Sequence, residues 1–204
     1  MCVFCDLFED GKETIWEDEE WVVVPGLGGF TPGYCLLLPR ECVGAYAHLT
    51  PTQLERAGHV LEAVRQAIAM TFRKSVAVAE HGIGRELGDS GSCCCVDHAH
   101  LHFFPHHASE EAVLNKYRPV GGEPAVLGGV TGLVNYHQAY LYLSTKPNDH
   151  LAWPWWYGFT KQFARRVFAG LSGERHWDWR RDRFQENFQV TLEVLRKILR
   201  PWQS

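Results

Sequence analysis

Apolar residues recur along the chain with two distinct periods, and these mark most of its elements. Residues 20–24 (Glu-Trp-Val-Val-Val) and 33–39 (Gly-Tyr-Cys-Leu-Leu-Leu-Pro) are short β-favouring runs. The connection between them, Pro25-Gly26-Leu27-Gly28-Gly29-Phe30-Thr31-Pro32, is rich in glycine and proline, which predicts two neighbouring strands joined by a turn-rich loop. Thr50-Pro51 supplies a helix cap and a proline at the first helical position. Beyond it Leu54, Ala57, Leu61, Val64 and Ile68 recur at intervals of three and four, so one amphipathic helix should run to about Phe72. Residues 75–82 read as a strand entering a Gly/Asp-rich loop. Residues 93–104 read as another strand, ended by Pro105, and residues 136–144 as a further one. Residues 108–124 are mixed and polar. Two helical patterns follow, Phe163, Val167, Phe168 and Leu171 in one, Phe188, Leu192, Leu195 and Leu199 in the other.

Composition narrows the class. A chain of 204 residues fits one domain with a sizeable appendage or two small ones. Apolar residues make up 46% and charged residues 22%, enough apolar surface to offset the chain entropy of folding. Lys and Arg number 20 against 24 for Asp and Glu, so no bulk positive field attracts a phosphate backbone, and nucleic acid is not an expected partner. No run of about 18 apolar residues occurs and the N-terminus lacks the basic flank of a signal peptide, so a cytoplasmic protein with no membrane partner is expected. The seven cysteines are Cys2, Cys5, Cys35, Cys42, Cys93, Cys94 and Cys95. Their odd number and three adjacent members disfavour a disulfide framework and favour metal or structural thiols. Trp153, Trp155, Trp156, Trp177, Trp179 and Trp202 crowd the last quarter. They could stack a base, but core between added helices and the main sheet is the expectation.

The most informative segment is Asp97-His98-Ala99-His100-Leu101-His102-Phe103-Phe104-Pro105. With period two, His98, His100 and His102 share one face of a strand while Ala99, Leu101 and Phe103 share the other. The apolar face can anchor to a core while the imidazoles line a site. Chance alternation or a metal-only site would leave the same pattern, but imidazole can also serve as nucleophile or proton carrier near neutral pH, and that chemistry is the favoured reading.

Here the chain resembles the histidine triad (HIT) superfamily of nucleotide hydrolases and transferases, whose signature His-φ-His-φ-His-φ-φ, with φ apolar, is matched in full by residues 98–104. Glu80-His81-Gly82, the following loop, and the run from Gly33 to Cys42 resemble a bacterial branch, so the likeness spans roughly residues 2–105. The resemblance implies an α+β fold: an antiparallel sheet of about five strands, one long helix and a helical C-terminal extension. It divides the chain into a catalytic domain over residues 1–145 and a Trp-rich extension over 146–204, and it implies a homodimer. It assigns the nucleophile to His100, which would attack the α-phosphorus of a nucleotide, with His102 bonding phosphate oxygens and His98 bracing the backbone. Nucleotide contacts fall on Glu80, Cys95 and Gln162, with Arg165 also reaching the phosphate chain. Two departures stand out. Cys93, Cys94 and Cys95 occupy positions where the family carries a Gly-Gln-Ser type segment, and Pro25-Gly26-Leu27-Gly28-Gly29 stands where an acidic residue commonly takes the ribose.

Cys2-x-x-Cys5 lets two thiolates share one tetrahedral ion, but a closed site needs two more ligands. Zinc-containing HIT proteins resembling this one complete the set at positions matching Cys42 and His98, which implies a structural Cys₃His zinc site. His48 is an alternative fourth ligand, Cys35 reads as an alternating strand residue, and His106 and His107 as a solvated turn. The expected substrate is a nucleotide, most specifically a dinucleoside polyphosphate such as diadenosine tetraphosphate, with the acceptor, water or phosphate, left open. Two other readings stand beside the enzyme: a nucleotide-binding regulator without turnover, and a metalloenzyme using all three histidines.

Overall fold

A computed structural model describes residues 2–83, 98–117, 122–154 and 162–202. In these residues one eight-stranded sheet, every pairing antiparallel, separates two helical layers. In chain order the strands are β1 (Trp16–Glu17), β2 (Trp21–Pro25), β3 (Cys35–Pro39), β4 (Ser75–Gly82), β5 (Leu101–His106), β6 (Ala125–Leu127), β7 (Tyr140–Lys146) and β8 (Asp149–Pro154). Across the sheet they run β1-β2-β3-β5-β4-β7-β8-β6. The helices are α1 (Val3–Asp10), α2 (Pro51–Phe72), α3 (Glu110–Tyr117), α4 (Phe163–Leu171) and α5 (Gln185–Leu199).

Alternation sorts the side chains into two cores. Val23, Leu37, Val78, Leu101 and Phe103 face α2 and α5, while Val24, Leu36, Leu38, Ala79 and Phe104 face α1, α3 and α4. Helix α2 forms as its periodicity predicts, with Leu54, Ala57, Leu61, Val64 and Ile68 all buried. Thr50 closes a capping box with Gln53, and Pro51 opens the first turn without losing a needed donor. The two C-terminal helices lie on opposite faces of the sheet, α5 in the α2 layer and α4 in the other.

Several sequence expectations need correction. The sheet has eight strands rather than about five; β1 and β6 are two and three residues long, too short for a period to register. The strand expected at residues 93–104 is described only from Leu101, and it continues through Pro105 to His106. Pro105 is tolerated because β3 pairs with β5 only as far as Phe103, so at Pro105 the strand has β4 as its sole neighbour and the missing N–H faces no ladder. His106 is therefore a buried strand residue packed on Phe168, not a solvated turn. The strand read at 136–144 begins at Tyr140, and residues 110–117, read as part of a polar stretch, form α3. Cys93, Cys94, Cys95, Trp155 and Trp156 lie outside the described residues. No helix among the described residues is long and apolar enough to cross a membrane.

Candidate functional site

The triad bridges two adjoining structures. His102 lies in the middle of the sheet, paired with Leu36 on one side and Ala79 on the other. His98 and His100 precede β5, where the Ala99 amide donates to the carbonyl of Val43 at 2.7 Å and Ala99 packs into the α2-side core. The three imidazoles thus keep the alternation expected of them although only His102 belongs to the strand.

His98 is 1% exposed. Its Nε2 lies 2.8 Å from the carbonyl of Pro39, an acceptor that can pair only with an N–H. Nδ1 is therefore the lone-pair nitrogen, and it faces the sulfurs of Cys2 at 3.4 Å and Cys5 at 3.9 Å. Cys2 is the N-cap of α1 and Cys5 lies in its first turn, three residues on, so both face the same side of the helix start. Cys42, in the segment after β3, completes the group, and the four ligand atoms lie within 4.8 Å of one another. A tetrahedral ion with bonds of about 2.3 Å needs ligand separations of about 3.8 Å, so a small contraction closes a Cys₃His cage. Burial and the neighbouring sulfurs push the Cys5 thiol up to about 12, the strain of crowding three sulfurs that a central cation relieves by taking up their thiolate charge. The donor set and the pre-set His98 tautomer fit zinc. His48 is not part of the cluster, nor are His100 and His102. Cys35 is a buried strand residue, as its alternation indicates.

His100 is oriented by its own chain. Its Nδ1 donates to the main-chain carbonyl of His98 at 2.7 Å, which fixes the tautomer and leaves Nε2 carrying the lone pair. Burial holds its pKa down at about 4, so the ring stays neutral, the nucleophilic form, at physiological pH. The ring contacts Phe4 of α1 and stands edge-on to His102, with centroids 5.6 and 4.6 Å away.

His100 and His102 open onto a cleft whose empty space, open solvent included, is about 1030 Å³. Phe4 and Leu7 of α1 form one wall, Val24, Pro25 and Leu27 another, and Gln162, Phe163, Arg165 and Trp179 close it from the C-terminal region. The walls are mostly apolar, with polar groups gathered around the imidazoles. His81, on the same face of the sheet as Ala79, lines the cavity; Glu80 does not. Strand alternation turns the Glu80 carboxylate to the α2 side, where it accepts the Tyr46 amide at 2.8 Å and the Tyr140 hydroxyl. Glu80 is thus a buried core carboxylate rather than a nucleotide contact, and burial raises its pKa to about 7. Gln162, at the start of α4, does line the cavity, its Nε2 donating to Asp178 at 3.1 Å. Cys95 lies outside the described residues.

Arg165 is 3% exposed and committed to main-chain acceptors. Its guanidinium donates to the carbonyls of Trp177, Leu27 and Gly28, tying α4 to the glycine-rich loop. That loop explains its own composition. A Cβ on Gly26 would run into the Tyr34 ring, and one on Gly28, where φ is +66°, would meet the Trp179 backbone at 2.6 Å. The place where an acidic residue was sought is filled by close packing of Tyr34 and the C-terminal region.

No family model matches the sequence, and no curated protein is a detectable relative. Solved structures do match. A hypothetical histidine triad nucleotide-binding protein from Sulfolobus tokodaii is 13% identical, with a TM-score of 0.51 over 98% of this chain and 93% of that one. The chain has the histidine triad fold. A HIT family protein from Bacillus anthracis is 23% identical over 53% of this chain and 74% of that one, with a TM-score of 0.43. A zinc-bound histidine triad protein from Mycobacterium smegmatis is 20% identical over 54% and 78%, with a TM-score of 0.40.

Residues lining the site that sequence did not single out include Phe4, Leu7 and Glu13 and, beside the triad, His81 and Tyr34. Alternation could have found the last two, since His81 follows Ala79 by two, and Tyr34 precedes Leu36, which is paired with His102.

Proposed function

We propose that the protein is a nucleotide hydrolase or nucleotidyltransferase acting at an α-phosphate, with dinucleoside polyphosphates such as diadenosine tetraphosphate as the substrate class. The observation that supports it is the His100 Nδ1 bond to the His98 carbonyl, which leaves a neutral Nε2 on a ring that lines the cleft. In the first step Nε2 forms a bond to the α-phosphorus while the bond to the departing phosphate chain breaks, its electron pair leaving on oxygen. In the second, water or phosphate attacks the same phosphorus, the P–N bond breaks with its electron pair returning to Nε2, and the proton of the attacking oxygen passes to solvent, which restores the neutral imidazole. Dividing one displacement into two lowers each barrier. His102, beside His100, supplies hydrogen bonding to the phosphate oxygens, and the apolar walls exclude water from competing sites.

Cys2, Cys5, Cys42 and His98 would hold a structural zinc ion, which supplies no reaction step but pins α1 to the segment bearing the triad. The separation of this cluster from His100 and His102 disfavours the metalloenzyme reading. A regulator without turnover differs in its response to one change. His100→Ala should abolish product formation from a panel of nucleotides and dinucleoside polyphosphates while nucleotide affinity survives. Undiminished turnover in that variant, or binding with no turnover by the wild type, would overturn the proposal.

A further inference from the structure

Tyr34 immediately precedes β3 and follows Gly33, whose φ of +90° lies in the left-handed region. Its ring is 2% exposed and lies in the space left by Gly26 and Gly29. Its hydroxyl is 2.7 Å from Nδ1 of His102, and the two rings stack at 5.9 Å with 24° between their planes. The Arg165 guanidinium carbon stands 5.1 Å from the Tyr34 ring centre. A bond between a phenol and a neutral imidazole can run either way. If the phenol donates, His102 must carry its proton on Nε2; if Nδ1 donates, Nε2 is a bare acceptor that would repel a phosphate oxygen.

The surroundings decide the direction. A donating phenol gathers negative charge on its oxygen, which a neighbouring guanidinium favours, whereas an accepting phenol would have to place its own proton elsewhere beside that cation. Burial keeps the phenol protonated, since it raises the Tyr34 pKa. We propose that Tyr34, backed by Arg165, is a positioning residue that locks His102 in the Nε2–H tautomer, making it a fixed donor to the phosphate chain or to the oxygen that departs from phosphorus. The inference rests on the proposed nucleotide chemistry for its purpose, but the tautomer is a property of the protein alone.

The test therefore has two readouts. In protein labelled with ¹⁵N-histidine, with His102 assigned by the signals lost in His102→Gln, the wild type should show Nδ1 as the bare, hydrogen-bond-accepting nitrogen and Nε2 as the protonated one. In Tyr34→Phe the His102 shifts should move toward a tautomer mixture. With diadenosine tetraphosphate, kcat of Tyr34→Phe should fall by about 10-fold or more, as when other active-site imidazoles lose the partner that sets their tautomer, while KM changes little. A wild-type His102 protonated on Nδ1 overturns the inference without any variant. So does a Tyr34→Phe protein with unchanged shifts and rates. Absence of turnover in the wild type, with the expected shifts, would instead remove the proposed function and leave the tautomer assignment standing.

Discussion

The main-chain carbonyl of His98 accepts the Nδ1–H of His100 at 2.7 Å, so the residue that completes the sulfur cluster also orients the triad's middle imidazole. Metal occupancy and the proposed nucleophile are therefore mechanically linked, through one residue and one hydrogen bond. Phe4 adds a second link, since it lies on α1 between the two cluster cysteines and touches both His98 and His100. Metal analysis should find one zinc per chain. Cys2→Ser or chelation should lower the unfolding free energy by several kcal/mol, below the roughly 10 kcal/mol of peptides that depend wholly on zinc, because the sheet keeps its two cores without it. Denaturant titration with and without chelator checks this; identical curves would contradict it.

Glu80 should make stability depend on pH. Its carboxyl pKa rises from 4.5 unfolded to about 7 folded, so the native state binds the proton more tightly. The stabilisation is complete below about pH 4.5 and is lost as pH rises through 7, a change of about 3 kcal/mol. Glu80→Gln removes the ionisation, so the stability of the variant relative to wild type should improve by up to that amount between pH 4.5 and pH 8. Urea midpoints of the two proteins at both pH values measure it, and a difference that does not vary with pH would count against it.

Arg165 should be far more costly to replace than a surface arginine. Arg165→Met leaves three carbonyl acceptors of the glycine-rich loop and its neighbour without their donor, an expected loss of about 3 kcal/mol or more. Arg181, 85% exposed with its nearest carboxylate contact at 4.0 Å, should change stability by less than about 0.5 kcal/mol when mutated to alanine. Thermal or denaturant unfolding of both variants separates the two roles.

Gly26→Ala should be destabilising by about 1–3 kcal/mol through overpacking, because the new methyl would occupy the space of the Tyr34 ring. Gly170→Ala, in α4 with open space around it, should be neutral or slightly stabilising. Equal effects at the two positions would contradict the packing described for Tyr34.

The parts of this fold that read clearly from sequence are those whose period repeats. Helix α2 offers five apolar positions in register, β3 and β4 are short β-favouring apolar runs, and the triad segment alternates strictly, so their placement and the facing of His98, His100 and His102 followed. Helix α1 did not register because its eight residues carry Phe4, Leu7 and Phe8 against one small patch of core. Strands β1 and β6 are shorter than any pattern. The cluster of Cys2, Cys5, Cys42 and His98 was legible only by resemblance, since nothing local brings positions 2, 42 and 98 together. Glu80 was assigned to the site by resemblance, whereas strand alternation turns its carboxylate to the opposite face from His81. Alternation places Tyr34 on the face of Leu36, but its partner His102 lies 68 positions away, so its role was legible only once the register of β3 against β5 was known.

The account turns on a covalent bond to His100, and the most direct measurement is a mass. The protein should be mixed with diadenosine tetraphosphate, quenched within the first turnover under alkaline conditions that preserve phosphoramidates, and digested for peptide mass spectrometry. One adenylyl group on His100, absent from His100→Ala and lost on longer incubation with acceptor, is the expected result. Turnover of the nucleotide with no adduct at any time, or an adduct on a different residue, would contradict it.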